Sequence, residues 1–340
     1  MKISPAASLC ALLSAQLLLA GCSNTAIQIT PVPADPALVE KVLLRDSPFA
    51  SDRIAIIDLS GIILTQRPPN LLGVRQGGTV SEFTEQLELA ARDQRVKAII
   101  VRINSPGGTV TASDLCHHAL ASVNRDRPDG KKLVVLALAV DIAASGAYYT
   151  ACAADEIWAH PTSLVGSIGV ILNTVSLAST FNKIGLTPAI YKSGPLKDSG
   201  SFWRDPLPAD NDYLQGIVNT YHARFREIVQ AGRPALRKAA ALDTVADGSV
   251  FIAPRALELG LIDRIGSAHD IIARAKELAG IRQAVVVVYA RAAASPRNVY
   301  DILVPELDQP NAAPTDLDAA TAARWLLNSL TPTPLYLWPG

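Results

Sequence analysis

Near-continuous apolar runs rich in Val, Ile and Leu at residues 54–64, 97–103 and 133–140 are the feature that most restricts this chain. A strand with one wet face alternates apolar and polar side chains; a run without alternation has to be covered on both faces. Helices must then lie on each side of the sheet, and the intervening stretches suit that role. Residues 80–92 set Glu82, Glu85 and Glu88 at helical spacing among apolar neighbours, and 109–124 reads as a second helix. Helices are also expected over 208–231 and 268–279, with one more strand over 284–289. The pattern predicts an α/β protein with a largely parallel sheet.

The ends read differently. Lys2 opens a leader whose 9–20 stretch is apolar except for Ser14 and Gln16, and Leu19-Ala20-Gly21-Cys22 closes it with small residues. That run is too short for a span, which takes about 20 residues, so 1–21 reads as a removable export signal. The ending resembles a bacterial lipobox. The resemblance implies cleavage before Cys22, acylation of that cysteine and, with Ser23 behind it, an outer-membrane address in the envelope. A plain secretory signal with a coincidental cysteine is the alternative. Residues 22–51 carry Pro31, Pro33, Pro36 and Pro48 and read as a tether, 52–291 as the compact domain, and 292–340 as an Ala/Pro-rich tail. The apolar stretch 335–338 is expected to pack on the domain, with a partner surface or a neighbouring substrate groove as alternatives.

Charge excludes some functions. With 31 basic and 31 acidic residues, the chain has no electrostatic footprint for nucleic acid or anionic lipid. Cys116 and Cys152 remain once Cys10 and Cys22 are set aside, and two buried thiols are expected in preference to a disulfide. There is no C-x-x-C or H-E-x-x-H, and adjacent His117 and His118 diverge on a helix, so no metal or other cofactor is expected.

Three places carry candidate chemistry. Asn104-Ser105-Pro106-Gly107-Gly108 follows a buried strand, where two glycines allow close backbone approach to a bound group. Residues 141–149 (D-I-A-A-S-G-A-Y-Y) set Ser145 at a strand-to-helix junction, either as an exposed hydroxyl or as an ordinary helix cap. Residues 191–199 (Y-K-S-G-P-L-K-D-S) bring Lys192 and Lys197 among small residues.

In order, these segments resemble the signal peptide peptidase A family of serine proteases, which carries N-S-P-G-G, A-S-G-x-Y-Y, G-S-x-G-V and K-S-G-x-x-K-D. Residues 104–108, 144–149, 166–170 and 192–198 match, and 247–251 and 256–263 match two later family patterns. The resemblance spans residues 53–280. It implies a ClpP/crotonase-like fold of stacked ββα units, with Ser145 as nucleophile, Lys197 as general base and Ser167 orienting the lysine. Ser167 as a mere turn residue and Lys192 as a rival base are the competing readings. The backbone N–H of Gly146 and that of Gly107 or Gly108 are the candidate oxyanion donors.

The chemistry is coherent. A serine hydroxyl needs a base, and lysine is one only when uncharged, so its pKa must fall from about 10.4 toward 7 through desolvation. Single-domain members of the family join serine and lysine across a subunit boundary, which implies a homo-oligomeric ring. The expected activity is an envelope endopeptidase cleaving apolar peptides, such as signal-peptide remnants or unfolded segments. A silent oligomeric scaffold and an acyl-CoA enzyme of the same fold are the alternatives. A Ser–His–Asp site using His160 and Asp155 is formally available.

Overall fold

Both faces of the central sheet are covered, as the near-continuous apolar runs require. The computed structural model describes residues 37–66, 78–123, 130, 132–291, 296–301 and 334–338; the leader and Cys22 lie outside them. Strands β1 (Leu38–Arg45) and β2 (Arg53–Ser60) come first, then helix α1 (Thr79–Arg92), β3 (Val96–Ser105), the short β4 (Gly107–Thr109) and α2 (Val110–Ser122). After them come β5 (Val134–Ala144), α3 (Gly146–Ala151), β6 (Glu156–Ala159) and β7 (Leu164–Gly166). A helical stretch holds α4 (Ala178–Lys183), α5 (Pro208–Gly232) and α6 (Ala239–Asp243). The chain continues through β8 (Val250–Ile252), α7 (Ala253–Glu258), β9 (Arg264–Ile265), α8 (Ala268–Ala279) and β10 (Val285–Arg291) to β11 (Leu335–Leu337).

The main sheet runs β1-β10-β2-β3-β5-β6-β9, with β7 on the end of β5 and β8 on β7. Only β1–β10 and β7–β8 are antiparallel; the other pairs are parallel. The expected mixed, largely parallel α/β sheet is thus present.

Side-chain alternation explains the missing polar period. Ala55, Ile57 and Leu59 of β2 face one core with Ile99, Val101 and Ile103 of β3, where α1 adds Phe83 and Leu87. Ile54 and Ile56 face the other, with Ala98, Ile100, Leu136 and Leu138, under Ile271, Ile272 and Ala275 of α8. These strands lack a polar period because each face meets helices, and the charged Asp58 and Arg102 inside them answer one another. Cys116 and Cys152 are free and buried, and burial pushes both thiols up to about 12.

One expectation needs correction. Residues 38–45, read as part of the 22–51 tether, form β1, paired from Leu38↔Arg291 to Arg45↔Val285 with one register shift between Val42 and Leu44. The sequence of β1 alternates weakly; it is recruited by the otherwise open backbone edge of β10, a largely apolar strand that needs a neighbour. Residues 335–337 form β11 against β4, so the stretch 335–338 packs on the domain as expected.

One charged pair lies inside the sheet. Arg102 and Asp58 face each other on β3 and β2, at 2.6 and 2.8 Å, with side chains 1% and 3% exposed. Arg102 also donates to the carbonyls of Val299 and Asp301, so all its bonds are internal. Removing one partner leaves an uncompensated buried charge. Asp58→Ala should therefore lower unfolding free energy in denaturant by about 3–5 kcal/mol, and adding Arg102→Met should restore part of the loss.

Candidate active site

Strand β5 outruns the sheet it belongs to. Its middle pairs with β6, but its last residues, Ile142 to Ala144, pair with Leu164 to Gly166 of β7. Ser145 follows at φ 53° and ψ −119°, its N–H donating to the Gly166 carbonyl at 2.7 Å. Helix α3 starts at the next residue, with the Tyr149 N–H bonded to the Ser145 carbonyl at 2.9 Å. A non-glycine residue in this conformation costs about 1–3 kcal/mol, and such costs concentrate at functional sites. The helix-cap reading fails, because the Ser145 side chain makes no capping bond. Ser145 is 1% exposed and its Oγ has no hydrogen-bond partner among the described residues.

Beside this turn lies the glycine loop. The Gly107 N–H donates to Ser105 Oγ at 3.1 Å, and its carbonyl accepts from the Ile63 N–H at 2.9 Å. At φ 101°, Gly107 has its Cα facing Gly146, so a Cβ there would fall 2.7 Å from the Gly146 nitrogen. Gly146 is as confined: its Cβ would lie 2.1 Å from Ser113 Oγ. The two backbones approach this closely only without side chains. Since the Gly107 N–H is spent on Ser105, Gly108 is the better-placed donor of the pair. Asn104, at the loop's outer end, donates to Asp141 at 2.8 Å and ties the ends of β3 and β5 together.

Ser167 shares the Ser145 conformation, at φ 53°, and is 6% exposed. Its N–H donates to the Ser249 carbonyl at 2.7 Å, and Asp247 in turn accepts the Ser249 N–H at 2.9 Å. The Asp247-Gly248 turn therefore shapes the Gly166-Ser167 loop. Asp263 has a comparable structural part: it takes two bonds from buried Arg233, at 2.7 and 2.8 Å.

Lys197 stands apart from all of this. It is exposed, and among the described residues its side chain makes no hydrogen bond or ion pair. From residue 169 to 199 no residue is buried, and α4 contributes none to either core. This arm is held by its own contacts: Phe181 stacks on Trp203 at 5.0 Å, and Phe202 lies 4.5 Å from Trp203. Arg204 forks between Asp198 (2.8 and 2.9 Å) and Asp210. Lys192 donates to Asp198 at 2.7 Å and to the Pro195 carbonyl at 3.2 Å. Lys192 thus closes the loop that presents Lys197, which argues against it as a rival base.

The Arg204 guanidinium and then Lys192 hold the Asp198 carboxyl well below the usual range; Arg204, Ser199 and the Leu207 N–H do the same for Asp210. Depressed carboxylates keep their stabilising charge down through pH 4 and lose it only below, so this clamp is intact across the neutral and mildly acid range. Motif reading passed over Arg204 and Asp210, whose only sequence trace is opposite charge six residues apart.

Within one chain, then, Ser145, Gly107, Gly108 and Gly146 come together, while the Ser145 hydroxyl and the Lys197 amine make no bond. The histidine alternative lacks its geometry: exposed His160 pairs with Thr162 at 3.1 Å, and Asp155 is occupied by Lys132 and the Val135 N–H. Among the described residues no cluster of His, Cys, Asp and Glu is arranged to hold a metal.

Comparison with known proteins identifies the family. The model of peptidase family S49 matches residues 125–282, a range that holds Ser145, Ser167 and Lys197. A Synechocystis sp. protein that carries a protease name is 36% identical over 209 residues, covering 60% of this chain and 72% of that one. Protease 4 of Salmonella typhi is 34% identical over 233 residues, 68% of this chain and 35% of that one. A solved stomatin-specific protease aligns at 13% identity and a TM-score of 0.41, covering 66% of this chain and 86% of that one. The chain belongs to peptidase family S49, the signal peptide peptidase A family, and is a serine-type peptidase.

Proposed function

We propose that Ser145 is the nucleophile of an envelope endopeptidase, with Lys197 of an adjoining protomer as its general base. The observation that carries this reading is Ser145 itself: a buried hydroxyl without a partner, held at positive φ between two glycine backbones. In the proposed reaction the lysine amine takes the Oγ proton as Oγ attacks the scissile carbonyl carbon. The N–H groups of Gly108 and Gly146 receive the oxyanion, a contribution of about 10²–10³ in rate per donor. The C–N bond breaks, the lysine returns the proton to the leaving amine, and water hydrolyses the acyl-enzyme. Ser167 orients the lysine.

Oligomerisation is favoured by the arm. Ile184 and Tyr191 are 68% and 96% exposed, and Val175, Leu186, Ile190 and Leu196 are exposed beside them. Six large apolar side chains exposed within 22 residues of chain are more than a surface that stays wet usually carries. Docked on a second copy, the arm would cover apolar surface and desolvate Lys197, the condition a lysine base requires. Substrates in this reading are apolar peptides, matched to the small residues around Ser145. Attachment to the envelope rests on the leader and on acylation of Cys22. No helix among the described residues is long and apolar enough to cross a membrane.

Ser145→Ala and Lys197→Ala should each reduce hydrolysis of an apolar fluorogenic peptide by at least about 10³-fold while circular dichroism stays native. Mixed in equal amounts under conditions of subunit exchange, the two dead variants should regain activity at about a quarter of the interfaces, where an intact serine meets an intact lysine. A mixture as dead as its parents sinks the shared site. Arg204→Ala should cost about 10- to 100-fold in kcat/KM, because it loosens the loop that presents Lys197, and should lower Tm as well, because it leaves buried Asp210 without its guanidinium partner. In the native host, Cys22→Ala should move the chain from the membrane fraction to the soluble one, as read by fractionation and immunoblot.

A further inference from the structure

An oxyanion site made from Gly108 and Gly146 draws its two N–H groups from separate pieces of chain. One piece runs from β4 into α2, the other from β5 into α3. Nothing in the covalent chain fixes the distance between them, yet both have to meet one oxygen at about 2.7–3.1 Å. Contacts between the two pieces set that spacing, and a single side chain touches both.

That side chain is Ser113, early in α2 and 0% exposed. Its Oγ donates to the Thr109 carbonyl at 2.9 Å. Thr109 directly follows Gly108, so the bond ties α2 back to the residue that joins it to the first donor. Ser113 also lies against Gly146. A Cβ on Gly146 would stand 2.1 Å from Ser113 Oγ and 3.0 Å from Ser113 Cβ, which puts the Gly146 Cα in contact with this side chain. The Gly146 nitrogen is met by Gly107, whose absent Cβ would lie 2.7 Å from it. Gly146 thus touches the glycine loop through its nitrogen and α2 through its Cα.

Thr150 closes the same contact from α3. It is 0% exposed, and its Oγ1 donates to the Gly146 carbonyl at 3.0 Å, with the Ser113 carbonyl second at 3.4 Å. Ser113 and Thr150 each bond the carbonyl four residues earlier, a pattern that draws a hydroxyl back along its own helix. A helix of six residues has little stability of its own, so α3 takes its position from contacts of this kind. Tyr148 is fastened as well, its hydroxyl donating to the Leu261 carbonyl at 2.8 Å.

We propose that Ser113 is a positioning residue for the oxyanion site, holding Gly146 at its separation from Gly108, with Thr150 supporting Gly146 from its own helix. This rests on the reading of Ser145 as nucleophile and of the two glycine N–H groups as donors. Ser113 makes no bond to the Ser145 hydroxyl, and its effect passes through Gly146. The oxyanion forms only as the carbonyl is attacked, so a displaced donor slows the chemical step and leaves binding of the intact peptide as it was. Alanine at position 113 would release both the tie to Thr109 and the contact at the Gly146 Cα. Valine would press on that Cα.

The test compares the unaltered chain with Ser113→Ala and Ser113→Val on one apolar fluorogenic peptide, with a peptide boronic acid as second probe. The boron takes Ser145 Oγ as a further ligand, and a boron-bound oxygen then stands where the oxyanion would form. Ser113→Ala should lower kcat about tenfold with KM within about twofold, and should weaken the boronic acid by a similar factor. Ser113→Val should lose at least as much. A merely structural role would shrink the active fraction and lower kcat, but would leave the affinity for the boronic acid unchanged. A folded Ser113→Ala chain with kcat within about twofold of the unaltered one, or with unchanged boronic acid affinity, overturns the assignment. If Ser113→Ala folds poorly, Thr150→Val decides by the same two readings, with Thr150→Ser expected to restore both. Hydrolysis that survives Ser145→Ala removes the nucleophile and the positioning role together, whereas hydrolysis that needs Ser145 but ignores Ser113→Ala removes only the positioning role.

Discussion

The 2.7 Å bond from the Ser145 N–H to the Gly166 carbonyl is the contact on which the candidate site depends. It exists because β5 continues past the point where β6 leaves it and takes β7 as a new partner. The end of β5 keeps its pairing with β3 through Ala143 and Ser105, and past it Ser145 takes a conformation a non-glycine residue seldom adopts. The Asp247-Gly248 turn then supports β7 from behind, through the bond between Ser167 and Ser249. Strain at Ser145 is thus maintained by a stack of backbone pairings several strands deep, not by the serine's own side chain, which stays uncommitted.

Glycine placement completes the arrangement. Gly107, Gly108 and Gly146 are each pressed against neighbouring backbone or side-chain atoms too closely for a Cβ. The requirement at Gly108 is structural, since its Cβ would meet the Ile63 carbonyl at 1.9 Å. At Gly107 the atom nearest the absent Cβ is the carbonyl oxygen of Tyr336 on β11, at 2.0 Å, with the Gly146 nitrogen next. A motif that reads as a plain P-G-G turn therefore holds two glycines that are each required by the close approach of other backbone.

Legibility in the sequence followed the range of the interactions. Helices α1, α2, α5 and α8 and the inner strands β2, β3, β5 and β10 were readable because burial on one or two faces writes a period into the local sequence. Strand β1 was not, because an edge strand is held mainly by the backbone of its neighbour and LVEKVLLR carries little alternation. The end of β5 was placed at Val140, four residues early, since Asp141 interrupts the apolar run while the pairing with β7 is invisible locally. Among the site residues, Ser145 and the glycines were singled out by family spacing. Arg204 was not, because a salt-bridge clamp needs only opposite charges brought together by a loop. The stretch 335–338 was read as packing on the domain; its bonding to β4 and Ile171 depends on residues more than 150 positions away.

The separation of Ser145 from Lys197 follows from the same economy of burial. Ser145, its glycines and Ser167 sit on elements built into the larger core, whereas no residue of the 169–199 arm is buried and only Val170, at its start, packs against that core. An arm without buried side chains gains little from the cores of its own chain, to which it is tied by polar and backbone bonds such as Ser199 to Asp210 and Ile171 to Leu335. Its internal clamp of Arg204, Asp198 and Asp210 keeps the local shape of the lysine loop without fixing where the arm docks. A chain built in this way can fold to completion with its hydroxyl in place and its base outstanding. In the reading proposed above, assembly supplies both the position and the dryness that the amine needs, and proteolysis is withheld from any single copy by the absence of a neighbour.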